Sequence, residues 1–554
     1  MQPSYLLTVL IFLPLAGVAA LLVLGSDDRV WIRLVALVTA VAEFLLSLLL
    51  VRGFSLSSTA YQFQEFRAWI PAPPIHYHLG VDGISLFLVL LTTFLTPVAM
   101  LASWKSDGNR TQGFYIALLV LETGMVGVFF SLDLFLFFLF WEAMLLPMYF
   151  LIGVWGHGRR IYAALKFILY TMAGSILMFV AMVWLYELTG TFDVPRIQEL
   201  LTTGQVTLSY PTELLLFGAF FLAFAIKVPL FPLHTWLPDA HTEAPTAGSI
   251  LLAGVMLKMG TYGMVRFCVP LFPEAAHRAA PYVAVLAIIG ILYGALVAMV
   301  QTDLKRLVAY SSVDHLGYVV LGIFAFSQTA LQGALYQMIN HGISTGALFV
   351  LVGALYDRRH TYEIREYGGL ATPMPVFAAL FLFVSLSSAG LPMLNGFVGE
   401  FLILLGTFER HTTWAVWATA GIIFSAVYLL WAYQRVFFGA VTQERNRALP
   451  DADRRERVML FGLAAVILWM GIGSSVFTRR TEASARNVLE LMHRPQAYNA
   501  GATSALPVDS ANDDSIKTDS IHGDSIKDAP PALLRATPAP RANSSSPLSE
   551  TGVR

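Results

Sequence analysis

The chain has 554 residues, of which 56% are hydrophobic and only 13% are charged, and its formal net charge at pH 7 is −1. Soluble domains usually carry about 25% charged residues, and the apolar residues here fall in continuous blocks of about 20, the length of a bilayer-spanning helix. This composition predicts an all-α polytopic membrane protein and excludes a membrane-spanning barrel, whose segments are short and alternating. The near-zero net charge gives no sign of a nucleic-acid-binding surface. The single cysteine, Cys268, excludes a disulfide within the chain and a cysteine-ligated iron–sulfur cluster.

Hydropathy predicts about 14 transmembrane helices. In chain order they lie near residues 4–24, 31–51, 82–102, 114–131, 134–155, 163–188, 212–231, 244–268, 281–300, 307–326, 331–355, 373–405, 413–436 and 457–477. The first segment, MQPSYLL, lacks the basic region of a cleavable signal peptide, so we expect the first helix to be retained.

Lysine and arginine are unevenly distributed between the predicted loops. Most of them follow odd-numbered spans, as in the loop after span 13 with Arg445, Arg447, Arg454 and Arg455. Basic loops stay on the cytoplasmic side of a membrane. The pattern therefore predicts that both termini are periplasmic, in the inner membrane of a bacterium.

Two of the predicted spans are interrupted. Span 7 contains Pro229 and Pro232, and the middle of span 12 contains Gly390, Pro392 and Gly396. Proline breaks the helical hydrogen-bond ladder, and freed backbone groups in a bilayer must face protein or water. Paired interrupted helices in corresponding positions are typical of inverted repeats around a transport pathway. We therefore predict two inverted five-helix repeats, spans 4–8 and 9–13, with broken helices 7 and 12.

The pattern divides the chain into five segments. They are an N-terminal group of three helices (1–112), a first repeat (113–268), a second repeat (281–436), a last transmembrane helix (457–477) and a tail (495–554). The tail is rich in Pro, Ser, Ala and Asp, a composition that cannot bury a core. We expect it to be disordered and peripheral.

Ionisable side chains at bilayer depth are costly and commonly functional. Six candidates stand out: Glu142 in span 5, Lys227 at the break in span 7, Lys258 in span 8, His315 in span 10, His341 in span 11 and Glu400 after the break in span 12. Taken singly, Glu142 and Lys227 could be a structural ion pair, and each histidine a core residue. Taken as a series, they indicate a proton relay, because glutamate, lysine and histidine all shift their protonation with burial and neighbouring charge.

Further polar residues surround this series. The stretch after Lys227 contains His234, Asp239 and His241, which form either the mouth of a path or a solvated loop. Asp314 lies beside His315. A haem would need two facing axial ligands on neighbouring helices, which the single histidines do not suggest, and we predict no metal or cofactor in this chain.

Four long stretches carry a resemblance to a known family. They read FFLFWEAMLLPMYFLIGVWG, KVPLFPLHTWLPDAHTEAPTAGSILLAGVMLKMGTYG, SSVDHLGY and GLPMLNGFVGEFLIL. They resemble the antiporter-like subunits of proton-pumping NADH–quinone oxidoreductase, respiratory complex I, and the variant HTEAPTAGS is most similar to the subunit M branch. The resemblance covers about residues 1–480.

The resemblance implies a function for each buried charge. In the family, the glutamate of span 5 pairs with the lysine of span 7, a lysine and two histidines continue a central polar axis, and an acidic residue in span 12 passes protons on. The corresponding residues here are Glu142, Lys227, Lys258, His315, His341 and Glu400. Asp314 departs from the family pattern, where a small or neutral residue is expected, and this leaves the protonation of His315 open.

The resemblance also implies the setting of the chain. NADH, flavin, iron–sulfur clusters and quinone would belong to other subunits, and the partners would be L-like and N-like antiporter subunits and the lipid bilayer. Two alternatives stay open. One is a subunit of a multisubunit cation/proton antiporter, which shares the fold and the axis, and the other is a passive membrane scaffold.

Overall fold

The computed structural model describes residues 5–25, 28–105 and 110–493. The predicted tail, 495–554, lies outside these residues. The helices are α1 Leu6–Val23, α2 Arg29–Gly53, α3 Gly83–Ala102, α4 Thr111–Phe130, α5 Leu134–Trp155, α6 Arg160–Thr189, α7 Val194–Thr202, α8 Tyr210–Lys227, α9 Trp236–Glu243, α10 Thr246–Leu271, α11 Pro273–Met299, α12 Leu304–Phe324, α13 Gln328–Arg359, α14 Pro375–Ser388, α15 Asn395–Arg410, α16 Thr412–Phe437, α17 Arg454–Ile472 and α18 Ser475–His493.

In the described ranges, 12 helices are long and apolar enough to cross a membrane: α1–α6, α8, α10–α13 and α16. A thirteenth span results if α17 and α18, which meet at a bend of 64°, are counted as one. Predicted span 12 corresponds to two shorter helices, α14 and α15. The multi-pass architecture is therefore present, while the count of 14 spans and the two repeats stay predictions.

The described chain is mostly helical, as predicted, but it departs locally from an all-α fold in a β-hairpin that joins α2 to α3. Strand β1 (Gln62–Ile70) pairs antiparallel with β2 (Ile75–Val81). The buried residue of β1 is Glu65, whose carboxylate accepts from the backbone N–H of Leu7 at 2.8 Å and so caps the start of α1. A strand that buries a glutamate lacks the alternation of apolar and polar residues by which strands are predicted.

Burial separates the helices into a centre and a periphery. The most apolar stretches of α10 and α13 are 100% buried and that of α12 is 94% buried, whereas those of α1 and α2 are only 33% and 28% buried. The exposed side chains of the peripheral helices are large and apolar, as a lipid-facing surface requires. Polar side chains on the central helices are therefore shielded from lipid.

Both interrupted regions expose helix ends inside the protein. Helix α8 ends at Lys227, and the indole Nε1 of Trp236 donates to the freed carbonyl of Ile226 at 2.9 Å. Between α14 and α15 the chain turns at residues 389–394, where Gly390 has a φ of 76° and Met393 a φ of 74°. Each break lies next to one of the charges predicted to be functional.

Candidate functional site

Four of the predicted residues lie in one line through the central helices. The Nζ of Lys258 on α10 is 2.6 Å from Nδ1 of His341 on α13. The ring of His341 lies with its centroid 5.8 Å from that of His315 on α12, and Nδ1 of His315 is 2.8 Å from Oε1 of Glu400 on α15. All four side chains are buried. The line therefore provides two proton-binding imidazole rings in sequence between a lysine and a carboxylate.

A local distortion of α10 orients Lys258. Residues Leu252–Met256 form a π-helical turn, in which the N–H groups bond carbonyls five residues back rather than four. The Nζ of Lys258 donates to the carbonyl oxygen of Ala253, within this turn. A π-turn inside an α-helix frequently marks a functional position.

Asp314 belongs to a polar cluster next to His315. Its Oδ2 accepts from Ser425 Oγ at 2.5 Å and from Tyr428 Oη at 3.2 Å. The same Tyr428 hydroxyl lies 3.5 Å from Nε2 of His315. Asp314 therefore acts on His315 as a nearby charge and through a shared tyrosine, and it belongs to the same site as Glu400.

A chain of neutral polar groups, which the sequence analysis missed, continues from Glu400 to the break before α15. Gln337 Nε2 donates to Glu400 at 3.0 Å, and Asn340 Nδ2 donates to Gln337 Oε1 at 2.6 Å. Ser344 Oγ then lies 3.1 Å from Asn340 Oδ1 and 3.3 Å from Asn395 Oδ1. Three of these residues sit at i, i+3 and i+7 on α13, a spacing that places them on one helix face. These residues carry no charge, and uncharged amides and hydroxyls give a weak signal in an apolar sequence.

Glu142 and Lys227 form a second group. Lys227 is buried at the end of α8, and its Nζ lies 5.0 Å from the ring centroid of Trp141 and has no hydrogen-bond partner among the described residues. The Glu142 carboxylate acts on it electrostatically, although the two do not form an ion pair within 4.0 Å in the described part of the chain. No hydrogen bond among described residues links this pair to Lys258.

The three secondary candidates after Lys227 have different surroundings. Asp239 is paired with Lys166 at 2.7 Å, which fits a structural role on one side of α9. His234 is buried beside Tyr293 at a centroid distance of 5.2 Å. His241 is fully buried and stacked on Phe349, and both of its ring nitrogens are without a hydrogen-bond partner among the described residues. The two histidines thus do not lie in a solvated loop.

Two carboxyl groups that are buried near the middle of predicted spans were missed by the sequence analysis. Glu43 on α2 and Glu122 on α4 are both 0% exposed, and they lie inside predicted spans 2 and 4. The signal that identified the other six, a charge inside a predicted span, applies equally to them.

Titratable groups at the end of α9, outside the spans, are also perturbed. Burial raises the pKa of Glu243 above its ordinary value. Burial, assisted by the nearby cations Lys305 and Arg160, lowers the pKa of His157 to about 4. Within the described ranges, no group of three or more His, Cys, Asp or Glu side chains has the arrangement of a metal site.

Comparison with known proteins gives the family. Residues 131–425 match the family described as NADH:quinone oxidoreductase/Mrp antiporter, and residues 9–127 match the amino terminus of NADH-ubiquinone oxidoreductase chain 4. NADH-quinone oxidoreductase subunit M of Rhodobacter capsulatus is 47% identical over 510 residues, which cover 90% of this chain and 99% of the relative. The chain belongs to the subunit M family of NADH–quinone oxidoreductase.

Other proteins similar to this subunit M family member include a chain from Marchantia polymorpha and chains of two solved structures. NADH-ubiquinone oxidoreductase chain 4 of Marchantia polymorpha is 42% identical over 482 residues, 87% of this chain and 96% of the relative. A chain of respiratory complex I from Thermus thermophilus aligns with a TM-score of 0.80 at 32% identity, covering 88% of this chain and 99% of that one. A chain of the Mrp complex from Dietzia sp. DQ12-45-1b aligns with a TM-score of 0.77 at 20% identity, covering 89% and 100%, a likeness of fold alone.

Proposed function

We propose that this chain is a membrane-arm subunit of NADH–quinone oxidoreductase that translocates protons across the membrane. NADH oxidation and quinone reduction in other subunits drive the transport, and the redox groups belong to those subunits. The observation that carries the proposal is the buried line from Lys258 through His341 and His315 to Glu400, because charged and proton-binding groups in a bilayer need a functional or structural reason.

The proton enters this line from Lys227. A carboxylate beside a lysine favours its charged form, so a change in the Glu142–Lys227 distance controls whether Lys227 keeps its proton. The helices α8 and α10 pack closely beside both lysines, since Gly260 has no room for a Cβ against the backbone of Val228. Lys227 then passes its proton to Lys258 across this interface.

From Lys258 the proton moves along hydrogen-bonded or adjacent rings. His341 accepts it at Nδ1, His315 takes it across the ring contact, and Glu400 receives it and releases it outward. Each transfer moves one proton between a nitrogen or oxygen donor and acceptor, with no electron transfer. Asp314 and Tyr428 adjust how readily His315 holds the proton.

The wider organisation is proposed on the same basis. The two five-helix repeats span residues 113–268 and 281–436, flanked by the N-terminal helices (1–112) and a last transmembrane helix (457–477). Both termini face the periplasm of a bacterium, because the basic loops lie on the other side. The partners in the membrane arm are L-like and N-like antiporter subunits, consistent with the similarity to a chain of a whole complex I.

The experiment is a comparison of coupling and assembly in variants of the intact complex. Glu142→Gln and Lys227→Ala should assemble and oxidise NADH, but NADH-driven acidification of inverted membrane vesicles should fall by several-fold. Glu187→Gln, an exposed glutamate at the end of α6, is the matched control and should pump as the wild type does. Wild-type acidification per NADH in either axis variant would contradict the proposal.

A subunit of a cation/proton antiporter is the second candidate, because the fold is shared with the Mrp complex. The higher identity to the complex I subunits favours the first candidate. Purification through a tag on this chain separates them. NADH dehydrogenase activity in the purified material supports the complex I assignment, whereas sodium-dependent proton exchange without it supports the antiporter. Normal pumping after neutralisation of the axis would instead indicate a passive scaffold.

A further inference from the structure

Glu43 and Glu122 occupy an unusual place for acidic side chains. Each lies near the middle of a membrane-spanning helix, α2 or α4, and each is 0% exposed. Helix α2 is otherwise one of the least buried helices, so its glutamate is directed away from lipid and into the protein. A carboxyl group at this depth costs several kcal/mol unless a partner or function compensates it.

The two carboxyl groups are each other's charged partner. They interact directly across the α2–α4 interface, and no lysine, arginine or histidine in the described ranges acts on either of them. None of their four oxygens has a well-formed hydrogen bond to another described residue. Two adjacent carboxylates in a dry environment cannot both be ionised, because like charges repel strongly where the dielectric is low. One proton shared between them removes this repulsion.

Hydroxyl groups on α3 line the same interface. Thr96 approaches Glu122, and Ser47 Oγ lies 2.9 Å from Thr93 Oγ1, one turn along α2 from Glu43. Ser47, Thr93 and Thr96 are buried. The interface between α2, α3 and α4 is therefore polar in the middle of the membrane-spanning helices. These three helices contribute no residue to the proposed axis.

The pair lies at a depth similar to that of Glu142. Helix α4 packs tightly on α5, with Gly124 against Met144 and Gly127 against Phe140. In this antiparallel pair Glu142 is opposite residues 125–126, so Glu122 is displaced from it by about four residues, or about 6 Å along the helix axis. The pair is thus placed beside the end of the axis at which the proton enters.

We propose that Glu43 and Glu122 form a second proton-binding site, which keeps one shared proton and exchanges a second proton with the Glu142 end of the axis during turnover. Each exchange breaks one O–H bond and forms another, so the pair alternates between one proton and two, and its charge between −1 and 0, without oxidation or reduction. The inference rests on the proposed function, because it adds a binding site to that proton pathway. Its ligand is the proton alone.

The test is redox-driven infrared difference spectroscopy on the purified complex, started by NADH. A protonated carboxyl group has a carbonyl stretch that shifts in deuterium oxide and that glutamine lacks. The wild type should show a difference band with this isotope shift, and Glu43→Gln and Glu122→Gln should each lose it. Glu187→Gln is the control and should retain it. If a glutamine variant does not assemble, Glu43→Asp takes its place. It keeps a carboxyl group on a side chain that is shorter by one methylene, and it should shift the frequency of the band.

A wild-type spectrum without such a band, or a band that survives in both glutamine variants, overturns the inference. Loss of the band together with a several-fold lower acidification rate at unchanged NADH oxidation supports it. A failure of this inference can be distinguished from a failure of the proposed function. Lys227→Ala tests the proton pathway by its effect on pumping, whereas the carboxyl band reports on the Glu43–Glu122 pair itself.

Discussion

Replacement of Asp82 by asparagine should open the start of α3 and the end of α10 to thiol reagents. Arg266 on α10 makes two hydrogen bonds to the Asp82 carboxylate, at 2.6 and 2.9 Å, and both side chains are nearly fully buried. Asp82 also caps α3 by accepting from the backbone N–H of Ser85 at 3.0 Å. Asparagine caps a helix as well as aspartate does, so Asp82→Asn removes the charge pair while it preserves the cap.

The expected magnitude follows from the burial of the pair. Removal of one partner of a buried ion pair leaves the other charge uncompensated and costs about 3–5 kcal/mol. Cys268, the only cysteine of the chain, is fully buried two residues after Arg266, and it becomes reactive only when this end of α10 opens. With tenfold for each 1.4 kcal/mol, its labelling rate should rise by about 140- to 3,700-fold.

The assay is labelling of the intact complex with maleimide, quantified on the Cys268 peptide by mass spectrometry. The double variant Asp82→Asn with Arg266→Met removes both charges, and an apolar replacement of a buried pair is often close to neutral. Its labelling rate should return to within about tenfold of the wild type. A labelling rate in Asp82→Asn within about threefold of the wild type, or no recovery in the double variant, would refute the reasoning.

Three further outcomes are expected. An added Cβ at Gly260 would lie 2.7 Å from a backbone oxygen of α8, whereas one at Gly218 would meet nothing within 4 Å. Gly260→Ala should therefore lower the amount of assembled complex on native gels, and Gly218→Ala should leave it unchanged. Gln337→Met removes a donor that holds Glu400, so it should reduce vesicle acidification per NADH, and equal coupling would argue against a role for the amide. The pKa of His157 in the folded chain is about 4, below the ordinary 6.5. As pH falls, His157 is therefore protonated in the unfolded chain before it is protonated in the folded chain, and the stability contributed by neutral His157 is lost between pH 6.5 and 4. His157→Gln should flatten the decline of thermal stability over that range, and identical pH profiles would contradict this assignment.

The membrane spans could be predicted closely because a bilayer imposes one length and one composition on them. The prediction of 82–102 corresponds to Gly83–Ala102, and that of 134–155 corresponds to Leu134–Trp155. Prediction failed where the chain leaves the apolar layer. The hairpin of β1 and β2 buries Glu65 in place of an apolar residue, and α18 is amphipathic, so neither carries a hydropathy signal.

The identities of the buried charges could also be predicted, but their contacts could not. Lys258 and His341 are 83 positions apart, and their 2.6 Å contact depends on the packing of α10 against α13. Amides such as Gln337 and Asn340 act through hydrogen bonds that no local pattern reveals. Glu43 and Glu122 could have been identified from the sequence, because each is a charged residue inside a predicted span. Their importance emerges only from the burial and pairing that the three-dimensional arrangement provides.

The two π-turns of α10, Leu252–Met256 and Met264–Cys268, have a consequence for how this subunit can vary. Each residue of an α-helix advances the direction of the side chains by about 100° around the axis. Lys258 lies between the turns, so deletion of a single residue from the first would swing it to another side of the helix, whereas a matching insertion before the second would bring Arg266 back toward Asp82. Such a pair of changes would restore Arg266 but leave Lys258 misdirected, so a length change before Lys258 must be compensated before Lys258 as well.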